Sequence, residues 1–384
     1  MSGYLLTLIE NGDVVAPEPR GRQSVLLAGD KIARLGEVDP QGAEALGLDL
    51  EVIDAKGCWV VPGLIDPHIH LTGGSGEEGF ASRSPGIQLT ELIPWGITTV
   101  VGVLGVDATT RVLPALLARV QGLEEEGISA WMYTGAYDVP PPTLTGSVRE
   151  DLLFVEKVIG VGEIALSDER AVQPTLRDLA RLATDAMIGG RLSGKAGVTH
   201  FHMGERPDRL SPVRSLLDDY GIKPELLYPS HVHRTDELLK EAVDLSRRGS
   251  FVDMDAAQEN LAVKVREFLE QGGREDRLTL SSDADGNTPA NLFLRWRQCV
   301  LDEKIPLERA LPLVTRNAAE ALHLSKKGRL EPGADADVLV LRKDTLDIVH
   351  VIAKGRVLVR DGEILAREKF LEESERTLEL QGKK

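Results

Sequence analysis

The 384 residues predict an α/β fold: a (β/α)8 TIM-like barrel carrying a small β-sandwich domain built from both termini. Three observations lead there. Eight short apolar runs alternate with amphipathic segments over about 250 residues, the rhythm of a parallel barrel. The two ends of the chain share a different style, short strands punctuated by tight turns. Imidazoles and carboxylates recur where the apolar runs end. A doubly wound open sheet is the competing architecture. No Gly-x-Gly-x-x-Gly follows the first run, which removes its dinucleotide-binding form.

Residues 1–60 read as the first part of the small β domain. Asn11-Gly12 is a hairpin dipeptide, residues 24–28 form a short strand, and Gly29-Asp30 makes another turn. Segments 51–54 and 59–61 follow. The barrel is placed at 61–325. Its opening run, residues 60–65, reads as a buried strand leading to His68 and His70. Side chains two apart on a strand share a face, so both imidazoles leave on one side. Further runs lie at 97–104, 130–133, 158–165, 198–202, 226–231, 251–254 and 278–283. Helical spacing appears between most of them, as in 109–126 with Leu113, Leu116, Leu117 and Val120, and again in 174–188, 235–248 and 259–271. Segments 337–341, 350–353 and 356–359 return to short strands, so 326–384 reads as the second part of the β domain. Residues 372–384 are expected to be a frayed, charged tail.

Composition narrows the function. Apolar residues make up 42% and charged residues 28%, as in a soluble globular protein. No run approaches the ~18 apolar residues that a membrane span needs. The first ten residues lack a basic flank and a small-residue cleavage site, so no signal peptide is expected. Cys58 and Cys299 lie far apart and offer no disulfide framework, which suits a cytoplasmic location. A formal charge of −16 without basic patches argues against nucleic acid as a partner.

Barrel active sites form where strands end at their C-terminal side. Here strand one leads to His68 and His70, strand four carries Glu163, strand five carries His200 and His202, strand six ends at His231, and strand eight ends at Asp283. Six of the eight histidines crowd into these ends and the residue just past one of them, His233. Carboxylates inside apolar strands are costly unless paired or bound to a cation. The clustering points to a metal centre. His200 shares a face with His202 and competes with it as a ligand; it is expected to support a ligand or to pack. His233 is expected to begin a loop, and His323 and His350 lie outside the cluster.

The stretch Pro62-Gly-Leu-Ile-Asp-Pro-His-Ile-His70, the stretch Gly328-Arg-Leu-Glu-Pro-Gly-Ala-Asp-Ala-Asp337 and the strand-end residues resemble the amidohydrolase superfamily over the whole chain. Within it the chain is similar to the isoaspartyl (β-aspartyl) dipeptidases, through residues 73–79 and 127–137, Ser167-Asp-Glu-Arg170, Phe201-His-Met-Gly204 and Ser281-Ser-Asp283. The resemblance implies two zinc ions, one on His68, His70 and Asp283, the other on His202 and His231, joined by a hydroxide and an anion from strand four. Many relatives use a carbamylated lysine there. This strand has no lysine, and Glu163 is its only candidate bridge. A carboxylate supplies the same charge, so the site still sums to about +1 with its hydroxide. It is shorter by three bonds, on the order of 4 Å. The metals must sit nearer strand four, or that strand must bulge inward, which Gly160 and Gly162 would permit.

The implied activity is hydrolysis of the isopeptide bond of β-aspartyl dipeptides by the metal-bridging hydroxide. The alternative is another amidohydrolase acting on cyclic amides or N-acyl amino acids. Asp283 would move the proton and Tyr137 would donate to the oxyanion. Glu77 would meet the substrate ammonium, Arg170 and Arg234 its carboxylates, and Gly76 would allow close backbone approach. Val106 and the 285–288 loop depart from the family pattern, which leaves fewer hydroxyls for the substrate. The resemblance also implies a homo-oligomer, an octamer by family analogy.

Overall fold

The computed structural model describes residues 5–42, 47–74 and 76–375. The N-terminal strands are β1 (Leu6–Glu10), β2 (Asp13–Val15), β3 (Pro19–Arg22), β4 (Ser24–Ala28), β5 (Lys31–Gly36), β6 (Leu50–Asp54) and β7 (Cys58–Pro62). Eight parallel strands follow: β8 (Leu64–Ile69), β9 (Ile97–Gly102), β10 (Ser129–Thr134), β11 (Val158–Leu166), β12 (Val198–Met203), β13 (Leu227–Ser230), β14 (Val252–Asp255) and β15 (Leu278–Ser281). The chain closes with β16 (Val338–Arg342), β17 (Ile348–Ala353), β18 (Arg356–Arg360) and β19 (Glu363–Ile364).

Strands β8 to β13 form one curled parallel sheet in sequence order, and β14 and β15 form a second. The two are stitched together by backbone bonds, Val232 N–H to Asp253 O at 3.3 Å on one side and Asp283 N–H to His68 O at 3.1 Å on the other. All eight strands are buried on both faces, as a parallel sheet covered by helices requires. The covering helices include Leu113–Glu126, Leu176–Ser193, Asp236–Arg247, Leu261–Glu270 and Ala290–Leu301. Thr175 and Asp178 cap one reciprocally, and the Thr235 hydroxyl caps another. The helix expected from residue 109 starts only at Leu113, with Pro114 in its first turn. Asp107 holds the preceding residues in a turn by accepting from the N–H groups of Thr109 and Thr110.

The apolar run 60–65 is not one strand. β7 pairs with β16 and β2 in a seven-stranded sheet ordered β19-β18-β17-β16-β7-β2-β3, whereas β8 opens the barrel. Gly63 marks the switch: its N–H donates to Asp337 O, and the next N–H, Leu64, donates to Gly96 O, both at 3.0 Å. A Cβ on Gly63 would lie 2.2 Å from Thr98 Oγ1. Burial in two successive cores makes the run look continuous. The remaining N-terminal strands form a sheet ordered β5-β4-β1-β6. A separate apolar cluster joins Ile9, Val25, Leu27 and Ile53 of that sheet to Val14, Val60, Val338 and Val340 of the other. Most of the expected tail, residues 376–384, lies outside the described residues.

Candidate metal centre

His68 sits near the end of β8 and His70 just beyond it. Their Nε2 atoms face the same two carboxylates. His68 Nε2 is 3.4 Å from Glu163 Oε2 and 3.3 Å from Asp283 Oδ1; His70 Nε2 is 3.5 Å from Glu163 Oε1 and 3.3 Å from Asp283 Oδ1. Ligands bonded at about 2.0–2.2 Å to one tetrahedral ion stand roughly 3.3–3.6 Å apart along each edge. All four separations fall in that range. The same Oε2 that meets His68 is also 3.0 Å from His202 Nδ1 and 3.6 Å from His231 Nε2. Glu163 therefore touches both halves of the cluster, as a bridge must.

Glu163 reaches so far because β11 bulges. Val161 pairs with Thr199 and Ile164 with Phe201, so β11 spends one residue more than β12 across this step. Gly162 stands in the bulge at φ +154°, where a Cβ would lie 2.6 Å from His200 O. Only glycine fits. A bulge at this step, one of the two adjustments expected for a short bridging side chain, is thus present in the backbone. His231 and Asp283, just past β13 and β15, both take left-handed backbone (φ +62° and +47°), a conformation non-glycine residues adopt mainly where surrounding structure enforces it.

The donor set fits cations. His68 Nε2, Glu163 Oε1 and His231 Nε2 are buried without any hydrogen-bond partner, which is costly unless something binds there. Each is the atom that faces the cluster. Burial disfavours charge on His68, yet Glu163 and Asp283 hold its imidazole well above the usual range. Burial likewise opposes ionisation of Glu163, and His68 and His202 outweigh it, holding the carboxyl well below its usual range. The pocket thus favours positive charge at its centre.

The other residues singled out in the sequence lie around this cluster. The Tyr137 hydroxyl is 2.8 Å from His202 Nδ1, and burial, reinforced by Glu163, pushes its pKa well above 10, so it stays a donor. Arg170, Arg234, Glu77, Asp283 and Tyr137 line one pocket with His70 and His202. Arg170 Nη1 lies 2.9 Å from Glu77 Oε1, and Arg234 Nη1 donates to Met203 O at 2.9 Å. Gly76 stands further out, in an adjoining hollow with Glu77, Phe80, Arg83 and Val106. Val106 and Asp285 both line the main pocket. His200 is not among the groups positioned to hold an ion; its Nε2 lies 2.8 Å from His68 Nδ1. His233 lies inside the loop that starts at His231, rather than beginning it, and is fully buried.

Three residues were missed. Asp168 grips Arg170 Nε and Nη2 at 2.8 and 2.9 Å and lies 3.2 Å from His202 Nε2. Asp255 Oδ2 accepts from His231 Nδ1 at 2.7 Å, which leaves Nε2 facing the cluster. Asp255 ends β14, where the strand-end rule looks, and stopping that run at residue 254 hid it. Arg111 ties down the first loop by donating to Thr72 O, Gly74 O and Ser84 O. Nothing in its local sequence marks that role.

Residues 59–358 match the model of the Amidohydrolase family. The chain belongs to the amidohydrolase family. Its fold is similar to that of a β-aspartyl dipeptidase from Fervidobacterium islandicum AW-1, solved in complex with β-Asp-Leu dipeptide. The two are 36% identical with a TM-score of 0.90, over 95% of this chain and 98% of that one. Among curated relatives, an adenine deaminase from Geobacillus kaustophilus is 24% identical over 82% of this chain and 52% of its own length. A 5′-deoxyadenosine deaminase from Methanocaldococcus jannaschii is 25% identical over 94% of this chain and 96% of its own. The chain spans about half the length of the adenine deaminases it matches. As an amidohydrolase with this cluster, it has the donors for divalent metal in its barrel mouth. Among the described residues no helix is long and apolar enough to cross a membrane.

Proposed function

We propose that this amidohydrolase is a two-zinc dipeptidase that cleaves the isopeptide bond of β-aspartyl dipeptides. The observation that carries the reading is the charge pattern of the pocket over the ligand cluster. A β-aspartyl dipeptide has one ammonium and two carboxylates; the pocket offers Glu77 against Arg170 and Arg234. Guanidinium forks suit carboxylates, and Glu77 and Arg170, paired at 2.9 Å, would exchange each other for the substrate's ammonium and one of its carboxylates. The likeness to the Fervidobacterium enzyme, at 36% identity, supports the same class of substrate.

Divalent cations on His68, His70, Glu163, His202, His231 and Asp283 would acidify a water and polarise the scissile carbonyl. The protein's own groups do the rest. Asp283, 18% exposed and so reachable from the pocket, takes the proton of the attacking water and passes it to the leaving amine. Tyr137, kept neutral by burial, donates to the oxygen on which charge develops. Asp168 fixes the Arg170 fork from behind, so the guanidinium meets substrate already oriented.

The curated relatives raise deamination of a purine as the other reading. A purine is flat and apolar-faced, whereas Arg111, Arg170 and Arg234 line this pocket and Tyr137 is its only non-imidazole ring among the described residues. Zinc-loaded protein should therefore release aspartate from β-Asp-Leu at least about a hundredfold faster, by kcat/KM, than it turns over adenine, hydantoin, dihydroorotate or N-acyl amino acids. Ammonia release from adenine at a comparable rate, or inert β-Asp-Leu, would refute the assignment.

A further inference from the structure

We propose that His200 is a positioning residue that fixes the tautomer of His68, so that Nε2 of His68 presents its lone pair to the metal. The inference rests on the metal-centre reading and is independent of the substrate. His200 Nδ1 lies 2.9 Å from Tyr228 O, which can only accept, so Nδ1 carries a proton. In a neutral ring Nε2 then has none and must accept. Its partner is His68 Nδ1, at 2.8 Å, which must therefore be the donor. In the neutral ring that a metal ligand must be, this single proton on Nδ1 leaves Nε2 bare, the buried atom that finds no hydrogen-bond partner and faces Glu163 and Asp283.

The chain of constraint runs from the β13 backbone through His200 to the ligand. The His200 ring is held by Tyr133, stacked at 4.8 Å with an interplanar angle of 11°, and by Tyr228, also at 4.8 Å. It is completely buried, so water cannot replace either bond. The opposite tautomer of His200 would set a bare Nδ1 against Tyr228 O, turn an Nε2–H on His68 and force the proton of His68 onto the atom that faces the cluster. The neutral Nδ1–H form is the one compatible with metal. His231 obtains the same result from a carboxylate, Asp255. His68 obtains it from an uncharged ring, which adds no further negative charge beside Glu163.

Two substitutions separate this role from packing. Asn at 200 can still donate to Tyr228 O but cannot reach His68, whereas Gln can place its oxygen where Nε2 stands. Zinc affinity, measured against a chromophoric chelator, should fall about 10–100-fold in His200→Asn and stay within about threefold of the parent in His200→Gln. Thermal melting of the metal-stripped proteins restricts the comparison to folded samples. Equal affinities, equal losses or the reverse order would overturn the role. In the unsubstituted protein, long-range proton–nitrogen spectra should find His68 and His200 both protonated at Nδ1; an Nε2–H form of His200 overturns it without any variant. A parent protein that binds no zinc would instead remove the metal-centre reading itself.

Discussion

The barrel buries charge at both ends, and the two burials are completed differently. At the foot, beside the start of β10, Lys327 is 3% exposed, and its ammonium meets Asp337 Oδ2 at 2.6 Å, Asp335 Oδ2 at 2.8 Å and Ser129 Oγ at 2.6 Å. Those three bonds use all three donors of a lysine. Asp337 Oδ1 is taken by the Lys354 N–H at 2.8 Å. At the mouth, by contrast, His68 Nε2, Glu163 Oε1 and His231 Nε2 remain buried and unpartnered within one small volume. A closed network ties the barrel to the terminal strands and can do nothing else. An incomplete one has a stake in whatever completes it. The difference separates structural from functional burial without reference to any relative.

The mouth should give the larger response. Glu163→Gln keeps the shape but removes the charge shared by both halves of the cluster. Turnover should fall by about 10⁴, roughly 5.5 kcal/mol of barrier, with zinc stoichiometry reduced. The metal-stripped variant should also melt below the parent, because His68 and His202 more than offset the burial that opposes the carboxylate charge, so turnover is compared per folded molecule. A variant that keeps both zinc ions and its rate would show that Glu163 is an ordinary core carboxylate. Lys327→Met tests the foot. It strands Asp337 without its cation, whereas Asp335 keeps Lys31 at 2.5 Å, and removing one partner of a buried pair costs about 3–5 kcal/mol. Urea unfolding should record that loss while turnover per folded molecule is unchanged. Lost turnover in folded protein would mean that the two ends communicate.

Asp253 sharpens the comparison from inside the barrel. It is fully buried on β14, accepting from Thr279 Oγ1 and Ser281 Oγ at 2.6 Å each, and burial pushes its pKa up to about 6 from 3.8 despite those bonds. The folded state therefore holds the proton more tightly than the unfolded chain. Its contribution to stability is complete below pH 3.8 and is lost as pH rises through about 6. Asp253→Asn should stabilise the metal-stripped protein by on the order of 2 kcal/mol at pH 8 and by less at pH 5. A gain independent of pH would show that the charge of Asp253 is not the source.

The pattern of barrel strands was legible because parallel strands buried on both faces read as apolar runs, and the six ligand candidates were legible because each ends or interrupts such a run. The boundary at Gly63 was not, since residues 60–65 are buried throughout although two sheets share them. Asp168 and Arg111 were invisible for another reason. Asp168 grips Arg170 only two residues on, in a turn that no periodicity marks, and Arg111 acts on loop carbonyls brought close by chain folding, Thr72 being 39 positions away.

The smallest expected response is the absence of one. Glu163 carries its own carboxylate, so loading the metal-stripped enzyme with zinc should proceed equally in bicarbonate-depleted and bicarbonate-supplemented buffer; an increase with bicarbonate would place a carbamate in the centre. The bulge allows a stricter version. It adds a residue to β11 beside position 163, whose side chain is about 4 Å shorter than a carbamylated lysine. Glu163→Lys with bicarbonate therefore restores the chemistry of the common bridge but puts it on a backbone displaced for the shorter one. Zinc stoichiometry should stay low. Full recovery would mean that the bulge serves the packing of Gly162 against His200, and that the reach of the bridge is set elsewhere.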